Sequence, residues 1–223
     1  MSFFLTIDTA VSGASICLAD ATGVIGFREN PEQKESAAWL QPAIRDLFLD
    51  SGIALRSLSV IAVSAGPGSY TGLRVGLATA KGLCYALGCH LVTVNTLEMM
   101  AAAALPATTL LCPMIDARRQ EVFTAVYGPG LDEIVPTGSL VLNETSFDTV
   151  LDKGPISFFG NGSAKFRALT AHPNASFPDV TVNARHLVPF AMQALREQRF
   201  ADLAYSEPQY GKAFFSPGFP PSA

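Results

Sequence analysis

The chain has 223 residues, enough for one large domain or two small ones, each able to bury a core. Charged residues make up only 15% and the mean hydropathy is +0.30, so little polar material is available to cover a monomer, and a surface hidden by a partner is expected. Lys plus Arg total 15 against 19 Asp plus Glu, a net charge of −4 with no basic run; this excludes an independent nucleic-acid footprint and leaves any RNA contact to be shared with another subunit.

Short apolar runs at 3–8, 14–19 and 24–28, with turn residues at Ser12-Gly13 and at 20–23, predict three strands. A helix is predicted over 36–50, where Leu40, Ile44 and Leu47 form an apolar stripe, Trp39 and Phe48 add aromatic bulk, and Pro42 removes one amide. The β-branched and small residues at 59–64 predict a buried strand. After it come the glycine turn Gly66-Pro67-Gly68, a helix over 71–87, a strand over 91–94 and a helix over 96–104. The order βββαβαβα is that of a ribonuclease-H-like half, a mixed sheet with helices on its faces.

The second half repeats the opening in outline. Pro113-Met-Ile-Asp-Ala117 matches Leu5-Thr-Ile-Asp-Thr9, each followed by a strand, and Ser157-Phe-Phe-Gly-Asn-Gly-Ser163 again joins an apolar strand to a glycine turn and a helix. Two landmarks in the same order indicate internal duplication. The expected fold is therefore α/β, a duplicated ribonuclease-H-like architecture of the actin, hexokinase and heat-shock-chaperone type, in which a nucleotide sits between the halves. The expected division is 1–105 and a more degenerate 106–215, with a disordered Pro-rich tail at 216–223.

The turn Ser64-Ala-Gly-Pro-Gly-Ser-Tyr-Thr-Gly72 is the strongest local signal. It is not a P-loop, because Gly72 is followed by Leu73 and Arg74, and it misses the dinucleotide fingerprint by one residue. Two readings stay open. One is an anion or nucleotide cleft built from Asp8, Thr9, Gly66, Gly68, Ser69, Thr71 and Gly72 at a helix N-terminus; the other is a tight βα turn. Asp8 and Asp116 each end the first strand of a half, where this architecture aims a residue at the central cleft, yet Asp at a strand end also forms turns. Arg118 and Arg119 suit phosphate or RNA, a solvated turn, or an interface salt bridge.

Other chemistry is thin. His90, His172 and His186 are dispersed, so no metal site is expected. Ser69 has no base beside it in sequence. Cys17, Cys84, Cys89 and Cys112 lack CxxC spacing and read as reduced, buried thiols of a cytoplasmic protein, with neither a signal peptide nor a membrane anchor expected.

Along 71–87 the small residues Gly72, Gly76 and Ala80 recur every fourth position beside an apolar face. With the 36–50 helix they predict a self-complementary interface of Trp39, Leu40, Ile44, Leu47, Leu73, Arg74, Gly76, Leu77, Ala80 and Lys81. The alternative is packing of the two helices within the chain.

The run Ala65-Gly-Pro-Gly-Ser-Tyr-Thr-Gly-Leu-Arg-Val-Gly76 with Ala80-Lys-Gly82, between Ile7-Asp-Thr9 and Ile115-Asp-Ala-Arg-Arg119, resembles the TsaB (YeaZ) family, with a weaker echo at Glu207-Pro-Gln-Tyr210. Family members often carry His-Ser-Glu where this chain has Ser36-Ala37-Ala38, and Tyr-Leu-Arg where it has Tyr210-Gly-Lys. The resemblance implies a non-catalytic subunit in making threonylcarbamoyladenosine beside the anticodon of tRNAs reading codons that begin with A. Its implied partners are the catalytic subunit TsaD, the ATPase TsaE, tRNA reached through the complex, and a second copy of itself in isolation. No cofactor is implied for the chain alone, with ATP or ADP at a joint site. The rivals are an ATP-dependent phosphotransferase using Asp8 and the glycine loop, and a peptidase using Ser69.

Overall fold

The computed structural model describes residues 2–32 and 35–211. The first half opens with β1 (Phe3–Asp8), β2 (Ala14–Asp20) and β3 (Gly23–Asn30), antiparallel neighbours in sequence. Helix α1 (Ser36–Ser51) leads to β4 (Leu58–Gly66), α2 (Tyr70–Leu87), β5 (His90–Asn95) and α3 (Thr96–Ala103). The second half runs β6 (Leu110–Asp116), β7 (Glu121–Tyr127), β8 (Glu133–Val141), α4 (Asp148–Leu151), β9 (Ile156–Phe159), α5 (Ser163–Arg167) and β10 (Ala175–Ser176), then α6 (Val188–Glu197).

The two sheets have the same topology. The first is ordered β3-β2-β1-β4-β5 and the second β8-β7-β6-β9-β10, with parallel pairing of β1 to β4 and β4 to β5 answered by β6 to β9 and β9 to β10. Asp8 and Asp116 close the equivalent strands β1 and β6. Helices of 16 and 18 residues in the first half shrink to 4 and 5 in the second, so the second copy is the degenerate one.

Both faces of the central strands are buried, which is why β1, β2 and β4 read as continuous apolar runs. One face packs on α1 and α2 through Leu40, Ile44, Leu47, Leu77 and Cys84. The opposite face of this first sheet is covered by α6 and the turn before it, through Leu187, Val188, Ala191 and Ala194 against Phe4, Val60, Ala62 and Val92. Conversely α3 sends Leu97, Met100 and Ala101 onto Leu111, Ile115 and Phe123 of the second sheet. Each half thus lends its last helix to the other. A cut of the chain into 1–105 and 106–215 follows sequence order but not packing, because residues 184–210 lie with the first sheet. The tail at 216–223 is outside the described residues. Among the described residues no helix is long and apolar enough to cross a membrane.

Candidate functional site: the glycine loop, the central cleft and the outer helix face

The loop between β4 and α2 is folded onto its own chain. Ala10 O accepts the Ser69 amide at 2.6 Å, Thr96 Oγ1 accepts the Gly66 amide at 3.1 Å, and Ser69 Oγ caps α2 by accepting the Gly72 amide at 3.3 Å. Three of the loop's donors are therefore spent on the protein, against the expectation of an anion cradle at this turn. The glycines answer a steric demand instead. A Cβ at Gly68 would sit 2.4 Å from Ala10 O, one at Gly72 2.0 Å from Thr9 O, and one at Gly66, where φ is +120°, 2.0 Å from Gln209 O. Thr9 completes the contact by donating its hydroxyl to Gly72 O at 2.7 Å. Thr71 is exposed at the start of α2.

Asp8, of the expected set, lines an open space. It is buried, and its Oδ1 accepts the Ser64 hydroxyl at 2.6 Å and the Ala10 amide at 3.0 Å. Burial pushes its pKa above the usual carboxylate range despite those two bonds. The space is a cleft of about 400 Å³ between the halves, where Asp8, Val11 and Ser12 meet Gly160, Asn161 and Ser163 of the β9–α5 turn and the 178–182 segment. Sequence reasoning missed the second wall, whose one signal is the Gly160-Asn161-Gly162 turn equivalent to the first loop. Asp116 does not share the cleft. It is exposed, paired with Lys165 Nζ at 2.7 Å, and accepts the Arg118 amide at 2.6 Å, which holds its pKa low. Arg118 and Arg119 occupy a left-handed turn with φ of 69° and 51°.

The histidines are engaged far apart. His90 stacks on Phe200 with ring centroids 3.8 Å apart, His172 Nε2 lies 3.5 Å from Asp152, and His186 Nδ1 bonds the Asn183 backbone. Among the described residues no group of three or more His, Cys, Asp or Glu converges to hold a metal. All four cysteines are free. With Ser69 Oγ serving as a helix cap, the nucleophile reading gains no partner.

The interface expectation needs correction residue by residue. Leu40, Ile44, Leu47, Leu73, Gly76, Leu77 and Ala80 are buried in the chain's own core, so they pack inward rather than toward a partner. The stripe Gly72, Gly76, Ala80 lets α2 sit close over Thr9 and Val63. Lys81 Nζ is bound to the carbonyls of Ala204 and Ser206, and Arg74 lies over the Tyr70 ring at 4.1 Å while donating from Nε to the Tyr210 hydroxyl at 2.7 Å. Both cations therefore strap the 201–210 segment to α2. Trp39 is half-buried. The outward face of α2 is the neighbouring stripe, Ala78, Gly82, Tyr85 and Ala86, with Tyr85 82% exposed. Beside it, Leu49 is 72% exposed at the rim of an apolar groove of about 370 Å³ between α1 and α2, floored by Ile44, Phe48, Ile53 and Leu83.

Twin sheets of identical strand order with exchanged terminal helices define a duplicated ribonuclease-H-like protein of the actin and hexokinase class, with a shortened second half. The family model described as "TsaD: tRNA N6-adenosine threonylcarbamoyltransferase" matches residues 30–210. The chain is 32% identical over 164 residues to the tRNA threonylcarbamoyladenosine biosynthesis protein TsaB of Bacillus subtilis, covering 72% of this chain and 71% of that protein. It is 35% identical over 126 residues to TsaB of Escherichia coli, covering 55% and 54%. A Pseudomonas aeruginosa structure described as similar to the peptidase YeaZ superposes with a TM-score of 0.83 at 23% identity, covering 95% of this chain and all of that one, which shows the shared fold. The chain belongs to the TsaB (YeaZ) family.

Proposed function

We propose that this chain acts in threonylcarbamoyladenosine biosynthesis on tRNA as a non-catalytic subunit, pairing with the catalytic subunit TsaD and working beside the ATPase TsaE in the cytoplasm. The observation that carries the reading is the 32% identity to the Bacillus subtilis protein over most of both chains. The site chemistry supports it: a glycine loop spent on internal packing, histidines held apart, and a serine used as a cap.

The contact surface of the proposal is the outward face of α1 and α2. An exposed tyrosine and leucine beside an apolar groove, on a chain short of charge, suit the core of an interface. The same face is available to a second copy in isolation and to TsaD in the working complex, where ATP or ADP occupies a joint site. The test is reconstitution of tRNA modification with TsaD and TsaE, with and without this chain. Modification is expected only with it, and modification at the same rate without it refutes the reading.

A further inference from the structure

The central cleft has an electrostatic character of its own. Asp8 is 7% exposed, and both of its recorded hydrogen bonds fall on Oδ1, so Oδ2 takes neither of them at the edge of the cavity. Asp179 also lines the space, and no Lys, Arg or His is among the lining residues. Arg118 and Arg119, on the exposed turn after Asp116, are not among the lining residues, and two further cations are held by the chain itself. Lys165 Nζ is held by Asp116 at 2.7 Å and the Glu121 carbonyl at 2.9 Å. Arg185 donates to Asn183 and lies over the Phe27 ring at 4.3 Å. His186 feels Asp8 electrostatically, but burial favours its neutral form.

A phosphate entering this space meets the Asp8 carboxyl group and no lining cation. A hard divalent cation would want several converging oxygens, and the described residues provide no such cluster. The remaining walls are Val11, Met100, Val180 and Val182, with hydroxyls from Ser12 and Ser163. An alkyl chain fits the first set and an ammonium, with three donors, fits the second.

We propose that the cleft binds a small aliphatic primary ammonium compound, its charged nitrogen against Asp8 and its carbon chain along the valine walls toward Asp179. A cation there offsets the desolvation that burial imposes on the Asp8 carboxylate. The volume, about 400 Å³, lies at the small end of ligand cavities and is ample for such a molecule with bound water. The inference concerns the isolated chain and is independent of whether α1 and α2 meet TsaD.

The experiment is isothermal titration of the full chain with 1,4-diaminobutane, with 1,4-butanediol as the uncharged analogue and magnesium ATP as the anionic one, followed on amide NMR spectra. Saturable binding of the diamine with shifts at Ser12 and Asn161 is expected, roughly ten-fold weaker or worse in Asp8→Asn and in Asp179→Asn. Asp179 is exposed, so its variant decides the matter if Asp8→Asn fails to fold as judged by circular dichroism. Absence of diamine binding, equal binding by the diol, unchanged binding in either folded variant, or magnesium ATP shifting the same amides overturns the proposal.

Discussion

Substituting two glycines on one helix separates close packing from ligand binding as the reason for the glycine loop. In Gly72→Ala the new Cβ would lie 2.0 Å from Thr9 O, a backbone atom with no rotamer to yield, and Thr9 is itself tied to Gly72 by the 2.7 Å hydroxyl bond. Overpacking costs about 1–3 kcal/mol, and disturbing a buried hydrogen bond adds about 1 kcal/mol. Better helix propensity returns about 1 kcal/mol at most. The net is a destabilisation of roughly 2 kcal/mol, or a fall of roughly 4–8 °C in Tm for a chain of this size. Gly82→Ala is the control, because nothing lies within 4 Å of its Cβ position. There the helix gains about 1 kcal/mol and Tm rises by roughly 2–4 °C. Thermal unfolding followed by circular dichroism at one fixed protein concentration measures both, since association would shift either value. If Gly72→Ala melts no lower than the unsubstituted chain, the close-packing reasoning is wrong and the glycine is kept for something that binds there.

Tyr85→Asp, on the open face of α2, should leave Tm almost unchanged yet weaken co-purification with TsaD, whereas Leu77→Asp, 3% exposed in the core, should lose the fold itself. Sedimentation velocity and circular dichroism on the two variants distinguish these outcomes; equal loss of partner binding with both folded would reverse the assignment of inner and outer faces. Lys81→Ala frees the Ala204 and Ser206 carbonyls, and limited proteolysis should then cut faster within 201–210, while an unchanged cleavage pattern would show that the strap does not depend on that cation. For pH, Asp8 is held above its usual 3.8 by burial, so the folded chain binds the extra proton and stability falls as pH rises from that value through the folded pKa. His186 is held below its usual 6.5, so the folded chain binds fewer protons and stability is lost as pH falls below that value. Urea midpoints should therefore lose the fall with rising pH above 3.8 in Asp8→Asn and the fall with dropping pH below 6.5 in His186→Gln; variants that keep these falls would contradict the two directions.

Much of the first sheet was legible in the chain because its information is local. The runs at 3–8, 14–19 and 59–64 are apolar on both faces, and Ser69 with Gly88 brackets α2 as cap and left-handed stop. The duplication showed in the repeated strand ending at Asp8 and Asp116. Strands β8 and β10 gave no such signal, since β8 is largely exposed and polar at alternate positions without a clean face, and β10 has two residues. Faces and partners were another matter. Helix α2 carries small residues on two adjacent stripes, Gly72-Gly76-Ala80 and Ala78-Gly82-Ala86, and composition does not say which one meets the sheet. The choice was made by Thr9 and Val63, which receive the first stripe, and by Leu40 and Leu47, which fill the space beside it. The glycine loop likewise looked like a ligand cradle until Gln209, at the far end of the chain, closed over Gly66. The sequence by itself determined the elements of the first half, the repeat and the family, because these rest on periodicity and motif within short windows. Only the tertiary structure decided that the loop is packed shut, that α3 and α6 change places, and that the open cleft belongs to Asp8 without Asp116, because each of those depends on contacts between residues distant in the chain.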